Sequence, residues 1–167
     1  MVMEIPLTKG YVALVDDEDY EELSQWKWQS QSGGERNTAY ARRGIYNPYS
    51  RRMTTVMMHR VIMGDPADYL IDHKDGNGLN NTRSNLRIAT RAENQYNSRI
   101  NKNNTTGFKG VTFHRNTGKY MAQVSVDGAT RYLGLYNSAE AAHYAYCEAA
   151  KQLHSEFANT GEVPCPV

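Results

Sequence analysis

The segment DHKDGNGLNNTRSN, residues 72–85, most constrains how this chain can fold, because it contains four asparagines and only one aliphatic side chain, Leu79. A segment of that composition cannot lie in a hydrophobic core. The apolar runs that flank it, DYLIDH and NLRIA, predict two short strands. Thr90 and Glu93 then have capping-box spacing, which predicts a helix from Thr90. The local order is strand, long polar loop, strand, helix.

The residues before this segment predict further strands and short helices. YVALV, WKWQS and TAYARRG are typical of strands, and TTVMMHRVIMG predicts a strand that continues into a short helix. DDEDYEELSQW places acidic residues in the first turn of a helix, where the helix dipole favours them. We therefore interpret the acidic run as helix stabilisation rather than as a metal site.

Length and composition restrict the class of protein. A chain of 167 residues with 40% apolar content predicts one domain or two small ones. No apolar run approaches the roughly 18 residues of a membrane span, so we expect no membrane partner. Two cysteines cannot build a disulfide framework or a zinc knuckle, which favours a cytoplasmic protein.

The distribution of charge suggests contacts with nucleic acid, although the net charge is only +1. Residues 42–52 carry four arginines and no acid, and residues 83–102 carry five basic residues and one acid. A solvated face and a phosphate-binding face are both open interpretations of such stretches. The candidates for phosphate contacts are Arg42, Arg43, Arg99 and Lys102.

A polar, asparagine-rich stretch indicates a domain boundary. We predict a first domain over residues 1–98, a basic linker over 99–106, a second domain over 107–160 and a tail over 161–167. FKGVTFHR, KYMAQVSV and TRYLGLY predict three antiparallel strands, and Ser138 is placed to cap a long helix after them. The fold class is therefore α+β, ending in a three-stranded sheet packed on one helix.

The polar loop contains groups that suit phosphodiester hydrolysis. In-line displacement needs a base for the attacking water on one side of phosphorus and a cation on the other. Asp72 and His73 are neighbours on a predicted strand, so their side chains point to opposite sides and could flank one phosphate. Asn94 could supply a second metal ligand, and Asn85 could accept a hydrogen bond from the far ring nitrogen of His73. An ordinary solvated turn at DGNG is the alternative.

The segment MHRVIM…IDHKDGNGLNNTRSNLRIATRAENQYN resembles the core of HNH homing endonucleases of the phage type, which fold as a ββα-metal finger. The resemblance covers residues 58–98. It implies that Asp72 and Asn94 bind a metal, that His73 activates water and that Asn85 is the middle asparagine of the motif. A site with one carboxylate and one amide favours Mg²⁺, or Mn²⁺, and disfavours zinc. We interpret His59 as a packing residue ahead of a catalytic one.

The second domain resembles the Apetala-type, ethylene-response-factor-like DNA-binding domain, through GFKGV, GKYMAQV, RYLGLYNSAEAAHYAY and the closing FAN. The resemblance implies that the sheet lies in the major groove of DNA, with the helix behind it. Strand alternation places one set of candidate DNA-contact residues on the open face of the sheet: Gln123, Ser125, Thr130 and Tyr132. The resemblance over the first strand and its turn gives a second set: Lys109, Thr112, His114 and Arg115.

The two resemblances together predict a metal-dependent, site-directed endonuclease of phage or mobile-element origin. The expected partner is double-stranded DNA, with no small-molecule substrate. The expected oligomeric state is a monomer or weak dimer. One finger holds one base and one cation, so we expect a monomer to nick, whereas two cuts need a dimer or a second visit. A non-catalytic, sequence-specific DNA-binding regulator is the alternative.

Overall fold

The computed structural model describes residues 1–32 and 38–161 and divides the chain into two compact units, Met1–Thr90 and Arg91–Val167. Both units combine small antiparallel sheets with short helices, which confirms the predicted α+β class. Most of the predicted tail, residues 162–167, lies outside the described residues. No helix in the described parts of the chain is long and apolar enough to cross a membrane.

The first unit begins with a hairpin and a helix. Strands β1 (Val2–Pro6) and β2 (Val12–Asp16) pair antiparallel, and helix α1 (Asp17–Ser24) follows directly. Three acidic side chains occupy the first turn of α1, as the sequence predicted. Alternate residues of the two strands are buried because the hairpin covers the hydrophobic core with one face.

A three-stranded antiparallel sheet and a short helix complete the core of the first unit. The strands are β3 (Gln29–Ser32), β4 (Ala39–Asn47) and β5 (Arg52–Met57), and helix α2 (Met58–Ile62) continues from β5. The largest buried side chains of the core are Trp28, Leu23, Met58 and Val15. The predicted strand-to-helix transition in TTVMMHRVIMG is therefore confirmed.

Two short strands bracket the polar loop. Strand β6 (Leu70–His73) pairs antiparallel with strand β7 (Leu86–Ala89), and the register sets Asp72 opposite Arg87 and His73 opposite Leu86. Ile71 and Leu86 join the hydrophobic core, which fixes both ends of the loop.

The second unit contains helix α3 (Arg91–Tyr96), a three-stranded sheet and a long helix. The sheet has the order β10-β9-β8, with β8 at Val111–His114, β9 at Lys119–Val126 and β10 at Ala129–Tyr136. Helix α4 (Ala139–His154) packs on one face of it, and its N-cap Ser138 accepts a hydrogen bond from the Ala141 N–H at 3.1 Å.

Small residues let α4 and the sheet approach closely. The packed face of the sheet presents Val111, Ala122 and Val124 to Ala142, Tyr146 and Ala150 of α4. Gly110 has φ +75°, and a Cβ at that position would lie 2.0 Å from the ring of Tyr146. Only glycine fits there without displacing the ring.

Helix α3 is anchored within the second unit. The ring of Tyr96 stacks on His154 with the ring centres 3.8 Å apart, and its hydroxyl accepts a hydrogen bond from the N–H of Asp127 at 2.8 Å. The side chain of Asn159 donates to the carbonyl of Asn97 at 2.9 Å. These contacts explain why the compact units divide between Thr90 and Arg91, ahead of the linker predicted over residues 99–106.

Candidate active site and DNA-binding surface

The polar loop between β6 and β7 is ordered by hydrogen bonds centred on Asp75. Its carboxylate accepts from the backbone N–H of Asn77 at 2.8 Å and from the amides of Asn80 at 2.8 Å and Asn85 at 3.0 Å. Burial raises the pKa of Asp75, but these hydrogen bonds outweigh it, and the pKa lies below its usual range. Internal hydrogen bonds therefore hold the loop in a defined conformation, so it is more than a solvated turn.

The loop also docks on the N-terminal hairpin. The N–H of Leu14 donates to the carbonyl of Leu79 at 2.8 Å, and the N–H of Asn81 donates to the carbonyl of Leu14 at 2.8 Å. Arg83 forms an ion pair with Asp19 at 2.6 Å, and its N–H donates to Asp16 at 2.7 Å. The first strands thus hold the far side of the loop in place.

The cross-strand neighbour of Asp72 is Arg87. The carboxylate Oδ2 of Asp72 accepts from Nε of Arg87 at 2.8 Å and lies 2.7 Å from its Nη2, and both side chains are largely buried. An arginine held in this way offsets the cost of burying a carboxylate. Arg87 therefore fixes the orientation of the Asp72 carboxylate on β6.

The ring of His73 is buried and oriented by an asparagine. Its Nε2 lies 3.2 Å from Oδ1 of Asn81, which is fully buried. The amide of Asn81 is itself oriented, because its Nδ2 donates to the carbonyl of Leu79 at 3.2 Å. Oδ1 can only accept, so Nε2 of His73 carries the proton and Nδ1 is the basic nitrogen.

The same surroundings keep the His73 ring neutral. Burial lowers the pKa of His73, while the hydrogen bond to Asn81 and the charges of Asp75 and Asp72 raise it. Burial dominates, so the pKa is lower than that of a free imidazole. A neutral imidazole with a fixed tautomer is the state that a general base requires.

Two further rings pack around His73. His59, in α2, stands edge-on to it with ring centres 5.2 Å apart, and Tyr40 lies 5.8 Å from His73 and 5.9 Å from His59. Burial, followed by the neighbouring His73 and the charge of Arg60, lowers the pKa of His59 to about 3. His59 is therefore also neutral, and Nδ1 of its ring is buried with no hydrogen-bond partner in the part of the chain that the structure describes.

The structure corrects one predicted role. We expected Asn85 to accept a hydrogen bond from His73, but its Oδ1 accepts from the N–H of Asp75 at 3.1 Å. Its Nδ2 donates to the carboxylate of Asp75 and to the carbonyl of Asn80 at 2.8 Å. Asn85 closes the loop, and Asn81 is the residue that orients His73, because its amide lies beside the ring.

The residues predicted to bind a metal fall in different units. Asp72 is at the end of β6 in the first unit, and Asn94 is on α3 in the second. The buried carboxylate of Asp72 fits a hard divalent cation, because such ions prefer oxygen ligands. Among the described residues, one other acidic group, formed by Asp16, Glu18 and Asp19, is close enough to share an ion. Arg83 offsets part of its charge, with ion pairs to both Glu18 and Asp19.

The sheet of the second unit has one open face. Register places Thr130 opposite Ser125 and Tyr132 opposite Gln123, so these four predicted residues lie on the same face. On β8, Thr112 is the cross-strand partner of Met121, and His114 is the partner of Lys119, so the same face continues onto β8. The side chains of Thr112, Ser125, Thr130 and Tyr132 are exposed, whereas Gln123 and His114 are half-buried. We name these eight residues the open sheet face.

Two predicted contact residues at the edges of the sheet have different surroundings. Arg115 is exposed at the turn after β8. Lys109 is half-buried, and its Nζ donates to the carbonyls of Tyr96 at 2.9 Å and Ser98 at 2.5 Å. Burial lowers the pKa of Lys109 to about 8. Its ammonium group thus ties α3 to the sheet, away from the open sheet face.

The remaining predicted contacts lie outside that sheet. Arg42 and Arg43 are half-buried on β4, and the guanidinium of Arg43 lies 3.9 Å from the centre of the Trp26 ring. Such stacking fixes the plane of a guanidinium and leaves its edge for hydrogen bonds. Arg99 and Lys102 are exposed in the segment between α3 and β8.

Sequence reasoning missed the residues whose roles depend on neighbours distant in the chain. Asn81 was one asparagine among four, and Tyr40 carried no signal beyond its strand. Arg87 could have been found, because a strand register that pairs the ends of DYLIDH and NLRIA places it opposite Asp72. Lys119 and Met121 also follow from alternation with Gln123.

Comparisons with known proteins match two separate segments of the chain to family models. Residues 64–96 match the HNH endonuclease family model, and residues 106–156 match the AP2 domain model. Protein 3.8 of Escherichia phage T7 is 33% identical over 93 residues, covering 56% of this chain and 76% of that protein. The uncharacterized HNH endonuclease L560 of Acanthamoeba polyphaga mimivirus is 30% identical over 161 residues, covering 93% of this chain and 77% of that protein. No solved structure matches the chain.

A finger with a buried, oriented histidine beside a buried carboxylate, joined to a DNA-binding sheet, is the arrangement of a two-part DNA-cleaving enzyme. The chain belongs to the HNH endonuclease family, and it is a DNA endonuclease with an AP2-type DNA-binding domain. Nucleases of this family generally use a divalent metal ion.

Proposed function

We propose that the chain is a site-directed, homing-type endonuclease in which His73 is the general base and a divalent cation assists cleavage of one DNA strand. The observation that carries this proposal is the hydrogen bond between Asn81 and Nε2 of His73. It places the proton on the far nitrogen and leaves Nδ1 as the basic atom of a neutral ring.

The base step follows from that tautomer. Nδ1 of His73 takes a proton from a water molecule, and the water oxygen forms a bond to the phosphorus of the phosphodiester. The opposite phosphorus–oxygen bond breaks, and the departing sugar oxygen takes up a proton from solvent. The hydrogen bond to Asn81 strengthens as the ring becomes cationic, so the chain stabilises the charge that forms during proton transfer.

Asp72 and Asn94 are the proposed metal ligands, with Mg²⁺ as the ion and Mn²⁺ as an effective substitute. Such an ion supplies Lewis-acid stabilisation of the charge that develops on the phosphate and the departing oxygen. The ion pair with Arg87 holds the Asp72 carboxylate in its buried position. One carboxylate and one amide leave most of the coordination shell to water and substrate, as Mg²⁺ prefers.

The open sheet face is the proposed source of site selection. Gln123, Ser125, Thr130 and Tyr132 form two cross-strand pairs at its centre, and polar side chains of these types can bond to base edges in the major groove. Arg42, Arg43, Arg99, Lys102 and Arg115 are proposed to contact phosphates, which fixes position without reading sequence. With one base in each chain, a monomer or weak dimer is expected to nick.

The test uses supercoiled plasmid DNA carrying a genomic library from a candidate host. Wild-type protein with Mg²⁺ or Mn²⁺ should give nicked circles with discrete ends, and EDTA should abolish the product. His73→Ala should lower the rate by about 10²–10⁴-fold while leaving plasmid binding intact, because that is the usual contribution of a general base. Retained nicking in His73→Ala, or no nicking with any divalent cation, would overturn the proposal.

A further inference from the structure

The ring of His59 lies beside the proposed base but takes no part in the network that orients it. His59 is 9% exposed and stands edge-on to His73, with ring centres 5.2 Å apart and an angle of 87° between the rings. Tyr40 completes the cluster, 5.9 Å from His59. The three rings come from β4, α2 and β6, so the fold brings them together from separate parts of the first unit.

A packing role alone does not account for His59. Its Nδ1 is buried without a hydrogen-bond partner among the described residues. Burying such a group without a hydrogen bond is destabilising, and an apolar side chain would fill the same space without that cost. An imidazole kept at this position therefore calls for a role that needs its polar atoms.

The buried nitrogen also indicates the tautomer of His59. A bare ring nitrogen tolerates a dry environment better than an N–H group, since orphaned buried donors are the rarer case in proteins. The proton of the neutral ring therefore belongs on Nε2, at the outer end of the imidazole. His59 thus offers a neutral N–H donor next to His73, the proposed base that activates the attacking water.

We propose that His59 is a second catalytic residue, whose Nε2–H donates a hydrogen bond to a non-bridging oxygen of the scissile phosphate. This inference rests on the proposed function, because it takes His73 as the base beside which the phosphate binds. The donor stabilises the negative charge that grows on that oxygen as the water oxygen bonds to phosphorus. No proton is transferred to or from His59 in this role.

The spacing excludes the other common role of a second histidine. A base and an acid for in-line displacement stand on opposite sides of phosphorus, each about 3 Å from its own apical oxygen. Ring centres only 5.2 Å apart leave no room for a phosphoryl group between the two imidazoles. His59 therefore lies on the side of the attacking water, where an equatorial oxygen is within reach and the departing oxygen is not.

The experiment compares three substitutions that place different groups at the same position. The amide nitrogen of glutamine reaches the place of Nε2, that of asparagine reaches the place of Nδ1, and leucine has no polar atom. His59→Leu should lower single-turnover nicking of plasmid by about 10²–10³-fold, as loss of an oxyanion donor does. His59→Gln should recover at least tenfold of that loss, and His59→Asn should not. Circular dichroism and plasmid binding verify that each variant is folded.

A sulfur substitution gives a readout that packing would not change. A synthetic duplex is built on a site mapped with the wild-type protein, with sulfur replacing either non-bridging oxygen of the scissile phosphate, and is cut in Mn²⁺. Sulfur accepts hydrogen bonds poorly, so wild-type protein should cut one diastereomer about tenfold more slowly than the oxygen duplex. His59→Leu should lose this discrimination, and His59→Gln should keep it.

The outcomes separate this inference from the proposed function. Equal rates for the glutamine, asparagine and leucine variants, or an unchanged sulfur effect in His59→Leu, would overturn the role of His59 while nicking by wild-type protein still supports the nuclease. No cutting by wild-type protein would overturn both. Loss of nicking in His73→Ala together with wild-type rates in His59→Leu would leave the base in place and remove His59 from the site.

Discussion

Oδ1 of Asn81 lies 3.2 Å from Nε2 of His73, and both side chains are almost completely buried. Asn81 is held from its other end by the carbonyl of Leu79 and by the backbone of Leu14. The orientation of the proposed base therefore depends on the N-terminal hairpin as well as on the loop. This relationship connects the first strands of the chain to its chemistry.

Asn81→Ala should lower the rate of plasmid nicking by about 10–100-fold, the usual effect of removing a residue that orients a reacting side chain. Binding of DNA should be unchanged, because Asn81 is buried. Asn80→Ala is the matched control, since Asn80 bonds to Asp75 and not to His73. Equal losses of rate in the two variants, measured under single-turnover conditions, would mean that loop integrity and not ring orientation is affected.

Arg87→Met should lower the free energy of unfolding by about 3–5 kcal/mol, because it removes one member of a buried ion pair. Adding Asp72→Asn to this variant should recover much of the loss. Urea unfolding of both single variants and the double variant measures the coupling. Additive losses would show that the pair contributes no interaction energy of its own. Mg²⁺ should raise the melting temperature of Arg87→Met but not of the double variant.

Gly78→Ala should destabilise the first unit by about 1–3 kcal/mol through overpacking. The added Cβ would lie 2.5 Å from the carbonyl oxygen of Ala39 and 2.5 Å from the ring of Tyr40. Since Tyr40 packs on both histidines, the nicking rate should also fall. Gly44→Ala in the same unit is the control, because its added Cβ would meet only the terminal methyl carbon of Met53, which can move aside, and the position has no positive φ. A melting temperature of Gly78→Ala as high as that of the control variant would contradict the close packing at Gly78.

Lys119→Ala should reduce the salt dependence of DNA binding by about one unit of slope, if its exposed ammonium contacts a phosphate. Lys109→Ala should leave the slope unchanged, because that ammonium donates to two backbone carbonyls within the second unit. Fluorescence anisotropy with labelled duplex at several salt concentrations measures both slopes. The opposite pattern would place Lys109, and not Lys119, on the phosphate.

The stability of the chain should rise with pH above about 8 through Lys109. Burial lowers the folded pKa of this lysine from the ordinary 10.5 to about 8, so between these values the unfolded chain binds a proton that the folded chain does not. Below about 8 the cost of burying the charge is fully present. Urea unfolding between pH 7 and 10 should show this rise in wild type and not in Lys109→Met. Parallel pH profiles for the two proteins would contradict it.

Family, fold class and order of elements could be predicted from the sequence because each depends on local pattern. The polar loop between two apolar runs, the capping residues and the alternation along β9 are properties of neighbouring residues. Alternation also placed Gln123, Ser125, Thr130 and Tyr132 on one face, which the strand register confirms. The enzyme class followed from the same ordered motif, which the HNH family match confirms.

The environment of the proposed base was decided by tertiary structure. Four asparagines in one loop are equivalent in sequence, and only the docking of that loop on β2 selects Asn81 to face His73 and leaves Asn85 to close the loop. The position of Lys109 likewise depends on carbonyls 11 and 13 residues away. Sequence patterns record which residues are neighbours along the chain, whereas hydrogen-bond partners and burial are set by the packing of distant segments, which no local pattern contains.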